Sequence, residues 1–293
     1  MAGYVAAYRV GMLVSGAGVL ALVAWLQYRG LPREPAWTWG YFASALLMLI
    51  GLATSFVAGE PAGPERPPAH GGKEILRRLA VTAYDAFKDF LIRPEALAIL
   101  LFVVLFKFCD AFAGVLTAPF VLKIGFDKAT YAGVVKGVGF AAAMIGGFAG
   151  GAIARALPLS TSLWIGGLLQ MASNFTFSWQ ALMGANLAAL TFTIVVENFT
   201  GAIGTVIFVA YLSALCGSRE HTATQYALLT ALAAVGRTTL ASGGGFVAEF
   251  TGWFWFFVVT ALSAIPSLLL LWCLQRSGHF LPLEKPKVFS SDD

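Results

Sequence analysis

The sequence predicts an all-α polytopic membrane protein with about eight transmembrane helices. Of its 293 residues, 58% are hydrophobic and only 12% are charged, and the mean hydropathy is +0.78. Soluble domains carry about 25% charged residues, so this chain has too little charge to cover a water-facing globule, whereas a lipid-facing surface requires such a composition. Apolar stretches between charged or turn-rich breaks are long enough for membrane-spanning helices, which need about 20 residues each.

Eight apolar stretches are predicted to form these helices. The first contains Arg9 and follows no basic segment, so it is interpreted as a membrane span and not as part of a signal peptide. The predicted spans are Tyr4 to Leu26, Trp37 to Val57, Glu95 to Val121, Tyr131 to Ala154, Ser160 to Leu182, Leu187 to Leu215, Thr222 to Ala248 and Trp253 to Leu274.

The one long polar segment lies between the second and third predicted spans. It starts with a Gly- and Pro-rich stretch and continues from Lys73 to Ile92 with apolar residues at spacings of three and four. This spacing predicts an amphipathic helix, which either lies on the membrane surface or docks on the protein as a cytosolic linker. We therefore divide the chain into two N-terminal spans (1–58), a cytoplasmic linker (59–93), a six-helix region (94–275) and a cytoplasmic tail (276–293).

The distribution of Lys and Arg predicts the orientation in the membrane. If the N-terminus is cytoplasmic, eleven of the 19 basic residues fall in inside segments and four, Arg29, Arg33, Lys123 and Lys128, fall in outside segments. The positive-inside rule then places both termini in the cytoplasm. Because the basic residues form no run or stripe, the net charge of +4 does not indicate a nucleic-acid partner.

The residue patterns of metal sites and enzymes are missing from the sequence. Cys109, Cys216 and Cys273 are widely spaced, with no CxxC pair, and the sequence contains no HExxH, no phosphate-binding loop and no Ser/His/Asp set. We therefore predict no cofactor, no metal and no enzymatic activity.

Ionisable residues inside the predicted spans are the main functional signal. They are Arg9, Lys107, Asp110, Lys136, Glu197 and Arg237. An ionised side chain at mid-bilayer costs about 2.5–3.5 kcal/mol on insertion scales, so these residues must be paired or must face a wet cavity. Lys107 and Asp110 are three residues apart and share a helix face, which makes them either a salt bridge that allows insertion or part of a solute path. The excess of bases over acids favours an anionic solute.

Glu197 is a candidate proton carrier near the middle of its span, beside Asn198. A carboxyl group in a low-dielectric site can exchange a proton near neutral pH. The alternative is a permanent ion pair with Arg237 or Lys136. None of the three histidines lies in a span, so a proton relay would have to run through carboxylates.

Glycines in three of the spans predict close helix packing or hinging. The fourth span carries a nearly bare face, which lets helix backbones approach closely. Gly201 and Gly204 follow Glu197 on the sixth span, and further glycines interrupt the seventh. Such positions permit hinging or local unwinding.

Six segments in order along the chain resemble the AmpG-type muropeptide permeases of the major facilitator superfamily. They are AYRVGMLVSGAG (Ala7 to Gly18), FKFCDAFAG (Phe106 to Gly114), VVKGVGFAAAMIGGFAGG (Val134 to Gly151), GLLQMASN (Gly167 to Asn174), VENFTGAIGTVIFVAYLSALC (Val196 to Cys216) and TATQYALLTALAAVGR (Thr222 to Arg237). The resemblance extends from about Tyr4 to Leu274. It implies a proton-driven importer of anhydro-muropeptides in the inner membrane of a Gram-negative bacterium.

The chain departs from the family pattern in places. Cys109 stands where the family tends to have Gly, Val135 where it has Asn, and Gly201-Ala202-Ile203-Gly204 where it has Gly-Gly-Met-Gly. The resemblance begins at what corresponds to the family's fifth helix, which implies an incomplete major facilitator fold with one intact C-terminal six-helix half. We expect such a chain to be inactive without the missing N-terminal helices. Three explanations stay open: a truncated gene product, a piece whose N-terminal half is encoded separately, or a sequence whose true start lies upstream.

These observations lead to a set of predicted site residues. Asp110 and Glu197 are predicted to couple protons, and Lys107, Lys136 and Arg237 to bind the carboxylates of an anionic sugar-peptide. Asn198, Thr224 and Gln225 are predicted to add polar contacts. The alternatives are a facilitator for another anionic solute and a membrane fragment that does not transport.

Overall fold

A computed structural model shows the chain as a set of helices. It describes residues 2–58, 95–127, 130–216 and 222–284, together with the isolated positions 77 and 81. These residues form α- and π-helices and no strand, which confirms the all-α prediction. The predicted amphipathic helix from Lys73 to Ile92 lies outside the described residues, apart from those two positions. The chain divides into two compact units, one of Gly3–Pro67 and one of Pro68–Asp293 with the first two residues.

The smaller unit contains the first two predicted spans. Helix α1 (Ala2–Leu13) continues through a π-helical turn (Val14–Gly18) into α2 (Val19–Tyr28). Helix α3 (Arg33–Val57) follows, and it packs closely on α2 because Gly40 has no side chain. A Cβ atom on Gly40 would lie 2.7 Å from a methyl group of Val23.

The larger unit contains the other six predicted spans. Its elements are α4 (Ala96–Phe106), α5 (Phe108–Lys123), a π-helix (Tyr131–Val138), α6 (Gly139–Ala156), α7 (Leu159–Met183), α8 (Leu187–Leu215), α9 (Thr222–Ala241), α10 (Gly244–Leu262), α11 (Ile265–Arg276) and the short α12 (Leu281–Glu284).

Two apolar clusters occupy opposite ends of this unit. The first includes Ile99, Leu163 and Leu271, and the second includes Phe120 and Phe177. The α4–α5 segment begins in the first cluster and ends in the second, the π-helix and α6 return to the first, and α7 and α8 repeat the pattern. Successive segments therefore cross the unit in alternating directions, as membrane spans joined by short loops must.

Three predicted spans are interrupted in the structure. The third breaks at Lys107, where φ is −97° and ψ is 3°, so two helices replace one. The seventh, predicted as Thr222 to Ala248, is divided between α9 and α10 by a turn at Ser242 and Gly243. The eighth, predicted as Trp253 to Leu274, is divided between α10 and α11 at Ser263 and Ala264. Just before this span α10 is kinked at Gly252, whose φ is 76° and ψ is 166°, and a positive φ favours glycine at this position.

Five segments of the described chain are long and apolar enough to cross a membrane. By length and composition these are Arg33–Val57, Ala96–Lys123, Tyr131–Ala156, Leu187–Leu215 and Gly244–Arg276. Helix α7 is not among these five segments. It is as long as the shortest of them but less apolar, because it carries buried polar residues such as Gln170 and Asn174. The count of eight spans remains a prediction.

A stripe of glycines joins α6 to α8, as the sequence predicts. A Cβ atom on Gly146 would overlap the carbonyl oxygen of Phe199, and one on Gly150 would lie 2.8 Å from Cα of Ile203. A Cβ atom on Gly147 would meet nothing within 4 Å. The close approach is thus confirmed for the side of α6 that faces α8 and does not extend around the helix.

Candidate functional site

Lys107 and Asp110 form a buried ion pair where the third predicted span breaks. The ammonium nitrogen of Lys107 lies 2.5 Å from Oδ2 of Asp110, and the two side chains are 11% and 21% exposed. Lys107 is the non-helical residue between α4 and α5. The pair predicted from the spacing along the helix is therefore present.

Two other helices complete the surroundings of Lys107. Its ammonium nitrogen donates to Oε1 of Gln170 on α7 at 2.8 Å and to the carbonyl oxygen of Gly201 on α8 at 3.5 Å. With Asp110, these acceptors match the three N–H groups of an ammonium. We call Lys107, Asp110, Gln170 and Gly201 the lysine cluster.

Glycines on α8 make room for this cluster. A Cβ atom on Gly201 would lie 3.3 Å from Oδ1 of Asp110, and one on Gly204 would overlap the amide nitrogen of Gln170. Helix α8 is continuous through both positions. The sequence associates these glycines with hinging or unwinding, and the structure adds close contact with polar side chains of neighbouring helices.

Sequence reasoning missed the amide side chains of α7. Gln170 is fully buried, and Asn174 is 1% exposed. The Asn174 amide nitrogen donates to the carbonyl oxygen of Cys109 at 3.4 Å, and its buried Oδ1 has no hydrogen-bond partner among the described residues. The detectable signal was the pair of amides four residues apart on one face of an apolar helix.

Glu197 lies one turn before Gly201 on α8 and is half-buried. The Asn198 amide nitrogen donates to its Oε2 at 2.6 Å and to the carbonyl oxygen of Ile194 at 3.0 Å. Asn198 packs against α6, since a Cβ atom on Gly139 would lie 2.9 Å from its amide nitrogen. The predicted neighbours Glu197 and Asn198 are therefore bonded to each other.

Lys136 and Arg237 are both exposed. Lys136 belongs to the π-helix, and its ammonium nitrogen lies 5.8 Å from the ring centroid of Tyr131. Among the described residues no ion pair joins either base to Glu197, so the permanent pairing considered from the sequence is not present there.

The other two predicted polar contacts lie elsewhere on α9. Thr224 is half-buried. Gln225 is 3% exposed, and within the described part of the chain its Oε1 has no hydrogen-bond partner. At 1.5 Å of rise per residue, Gln225 lies about 18 Å along the helix from Arg237. The structure thus places Thr224 and Gln225 about three turns from Arg237, whereas Glu197 and Asn198 lie within about one turn of the lysine cluster.

Nothing in the described part of the chain gathers three or more His, Cys, Asp or Glu side chains into a metal site. The described site residues offer charges and hydrogen bonds inside an apolar helix bundle.

Several long apolar helices make this chain a multi-pass membrane protein. Ionised groups buried within such helices are typical of proteins that move solutes or protons across membranes. The chain is similar to AmpG-type permeases, whose named members are transporters and not enzymes. This agrees with the predictions of a permease family and of no enzymatic activity.

Three relatives define this homology. The anhydromuropeptide permease of Escherichia coli K12 is 35% identical over 266 residues, which cover 90% of this chain and 50% of the permease. The transporter AmpG 4 of Rickettsia felis is 31% identical over 278 residues, which cover 92% of this chain and 62% of that protein. The transporter AmpG 1 of Rickettsia conorii is 28% identical over 272 residues, which cover 92% of this chain and 64% of that protein.

The chain spans between half and two thirds of the length of these relatives. No protein-family profile matches it.

Proposed function

We propose that the chain forms part of a proton-coupled secondary transporter that imports anhydro-muropeptides across the bacterial inner membrane. The observation that carries the proposal is the lysine cluster, a buried ion pair at a helix break, in a chain homologous to a protein named an anhydromuropeptide permease. A break in a membrane helix and buried charges together are common at the solute sites of carriers. Both termini lie in the cytoplasm in this proposal.

Asp110 and Glu197 are the proposed proton-coupling residues. Protonation of Asp110 removes its charge from the pair with Lys107, which loosens the contact between α5 and the ammonium group. Glu197 is half-buried and accepts a hydrogen bond from the neutral Asn198 amide. Both carboxylates lie on helices that meet at the lysine cluster, so a change at one can alter the packing at the other.

Lys136 and Arg237 are the proposed binders of the substrate's carboxylates. Both are exposed cations on segments that otherwise consist mostly of apolar and small residues. Lys107 adds a positive charge within the bundle, and Asn198, Thr224 and Gln225 are the proposed polar contacts. A peptide carboxylate gains most from Arg237, because a guanidinium can bind it through two parallel hydrogen bonds.

A facilitator for another anionic solute is the second candidate function. The exposed bases favour negative charge, and a smaller anion offers them the same charge as a muropeptide carboxylate. Competition between solutes separates the two candidates.

The test is an uptake assay in a bacterial strain that lacks its own muropeptide permease. The chain is expressed with any coding sequence found upstream of Met1, and accumulation of labelled anhydro-muropeptide is measured with and without a proton-gradient uncoupler. Uptake that the uncoupler abolishes and that excess unlabelled muropeptide blocks supports the proposal. Block by small organic anions alone favours the second candidate, and no accumulation of any labelled anion indicates a membrane fragment that does not transport.

A further inference from the structure

Gln170 is held in one orientation by two hydrogen bonds. Its amide nitrogen donates to the carbonyl oxygen of Gly166, one turn earlier on α7, at 3.1 Å. Its Oε1 accepts from the ammonium nitrogen of Lys107 at 2.8 Å. Because the amide group has one donor end and one acceptor end, the bond to Gly166 directs the acceptor end towards Lys107.

The packing of α8 on α7 depends on this side chain. A Cβ atom on Gly204 would overlap the amide nitrogen of Gln170 and would lie 2.7 Å from its Cδ. Gln170 is fully buried, so it cannot move into solvent to avoid such a clash. Glycine at position 204 is thus matched to glutamine at position 170.

The charge of Lys107 gives Gln170 its importance. When Asp110 is ionised, Lys107 has an anionic partner at 2.5 Å. When Asp110 is neutral, its carbonyl oxygen can still accept a hydrogen bond, but the ammonium then has only neutral acceptors: that oxygen, Oε1 of Gln170 at 2.8 Å and the more distant carbonyl oxygen of Gly201 at 3.5 Å. Without Gln170, a buried ammonium with no anionic partner would also lose its acceptor from α7, which is unfavourable.

The helices that pack around the cluster carry few other charged groups. Helix α7 contributes no titratable side chain, and α8 contributes Glu197, one turn before Gly201. Helix α9 contributes Arg237, next to Gly236, which packs against Val104. The π-helix that precedes α6 contributes Lys136 and Tyr131, and Glu249 of α10 is exposed.

We infer that Gln170 is a positioning residue that holds the Lys107 ammonium in place while Asp110 is neutral, and that Gly204 provides the space for it. The place of this step in a transport cycle rests on the proposed function. The positioning itself does not, so it can be tested on the folded protein alone.

The first test measures the thermal unfolding midpoint of the purified full chain in lipid nanodiscs. Asp110→Asn mimics the neutral acid, and Gln170→Met fills the space without an acceptor. If the two single shifts in midpoint simply added, they would give an expected midpoint for the double variant. We expect its measured midpoint to lie about 4 °C or more below that value. The matched control is Gln180→Met, another fully buried glutamine of α7, which bonds Gly184 and not Lys107, and it should combine additively with Asp110→Asn.

Moving the acid from position 110 to position 170 shows whether Gln170 acts by positioning Lys107 or only by filling space. Gln170→Glu places an acid beside Lys107, so in the Asp110→Asn background it should raise the unfolding midpoint or the yield of folded protein. In a Lys107→Met background the same change buries an acid without its partner and should lower both. An equal effect of Gln170→Glu in the two backgrounds would overturn the inference.

Gly204→Ala provides an independent variant. It should lower the midpoint as Gln170→Met does, and it should have little further effect once Gln170 is shortened to Ser. Full additivity of Gly204→Ala with Gln170→Ser contradicts the proposed match between the two positions. If the unfolding results hold and the wild-type chain takes up no labelled anion, the proposed function fails and the positioning role stands.

Discussion

Asp110 and Glu197 are carboxylates in different surroundings. Asp110 contacts an ammonium, so taking up a proton requires breaking an ion pair. Glu197 accepts a hydrogen bond from a neutral amide, and a glutamine in its place can accept the same bond. The Glu197→Gln change therefore removes the charge while leaving this contact possible.

We predict that Glu197→Gln abolishes the dependence of uptake on the proton gradient while the protein still folds. A residue that carries protons cannot be replaced by one that does not titrate. The measurement is uptake of labelled muropeptide across a series of external pH values. Glu249→Gln is the control, because Glu249 is exposed on α10 and the substitution is chemically the same. Unchanged pH dependence in Glu197→Gln removes this residue from proton coupling.

Sequence reasoning succeeded at residue scale where the relevant contacts are local. Lys107 and Asp110 lie three residues apart on the chain, so the helix repeat alone predicts that they meet. Their contact with Gln170 joins positions 63 residues apart, and only the packing of α7 against the other helices creates it. For the same reason the role of Gly204 was not predictable, since it follows from the volume of a side chain on another helix.

At the scale of elements, the spans were predictable because lipid imposes one simple requirement. A chain in hydrocarbon must satisfy its backbone hydrogen bonds internally and present apolar side chains outward, so helix length and composition follow directly. Interruptions are harder to predict. The break at Lys107 and the turn at Ser242 and Gly243 arise within apolar sequence that continues on both sides.

The close contact between α6 and α8 predicts that adding a methyl group to α6 destabilises the protein only on the side of α6 that faces α8. We expect Gly146→Ala to destabilise the protein by about 1–3 kcal/mol, because its new methyl group overlaps the backbone of Phe199. Gly147→Ala adds the same methyl group where nothing lies within 4 Å, so it should not destabilise the protein, and the higher helix propensity of alanine should stabilise it by up to about 1 kcal/mol. Thermal unfolding of both variants in the same lipid is the measurement. Equal losses would mean that the two helices do not pack through this face.

At the scale of the whole molecule, charge asymmetry predicts which end of the larger unit faces the cytoplasm. Arg155 and Arg276 occupy the last turns of α6 and α11, at the end that contains the first apolar cluster. Lys123, at the end of α5, lies 5.8 Å from the ring centroid of Trp253 at the opposite end. The positive-inside rule places the first cluster on the cytoplasmic side.

Single cysteines test this orientation. The exposed Cys273 is first replaced by serine, while the buried Cys109 and Cys216 remain. An impermeant thiol reagent added to intact cells should label cysteine at position 126 or 185 and should not label cysteine at position 157 or 277. The reverse pattern would invert the topology and would place both termini outside.

The decisive question for a carrier is whether its exposed charges meet water or lipid. Exposure of the isolated chain does not separate the two, because Leu97 and Leu269 are 71% and 57% exposed, as lipid-facing residues should be. An ionised side chain in hydrocarbon is costly, so the exposed Lys136 and Arg237 require a wet surface.

We therefore predict that cysteine at position 136 or 237 reacts with a soluble methanethiosulfonate reagent and that bound muropeptide slows the reaction. Cysteine at position 97 or 269 should react slowly with or without substrate, although its surroundings are similarly exposed. The rates are measured in nanodiscs in the Cys273→Ser background. If positions 136 and 237 were as unreactive as the leucine positions, these bases would face lipid or be sealed within protein. An anion could then not reach them from water, and the solute path of the proposed transporter would have to lie elsewhere.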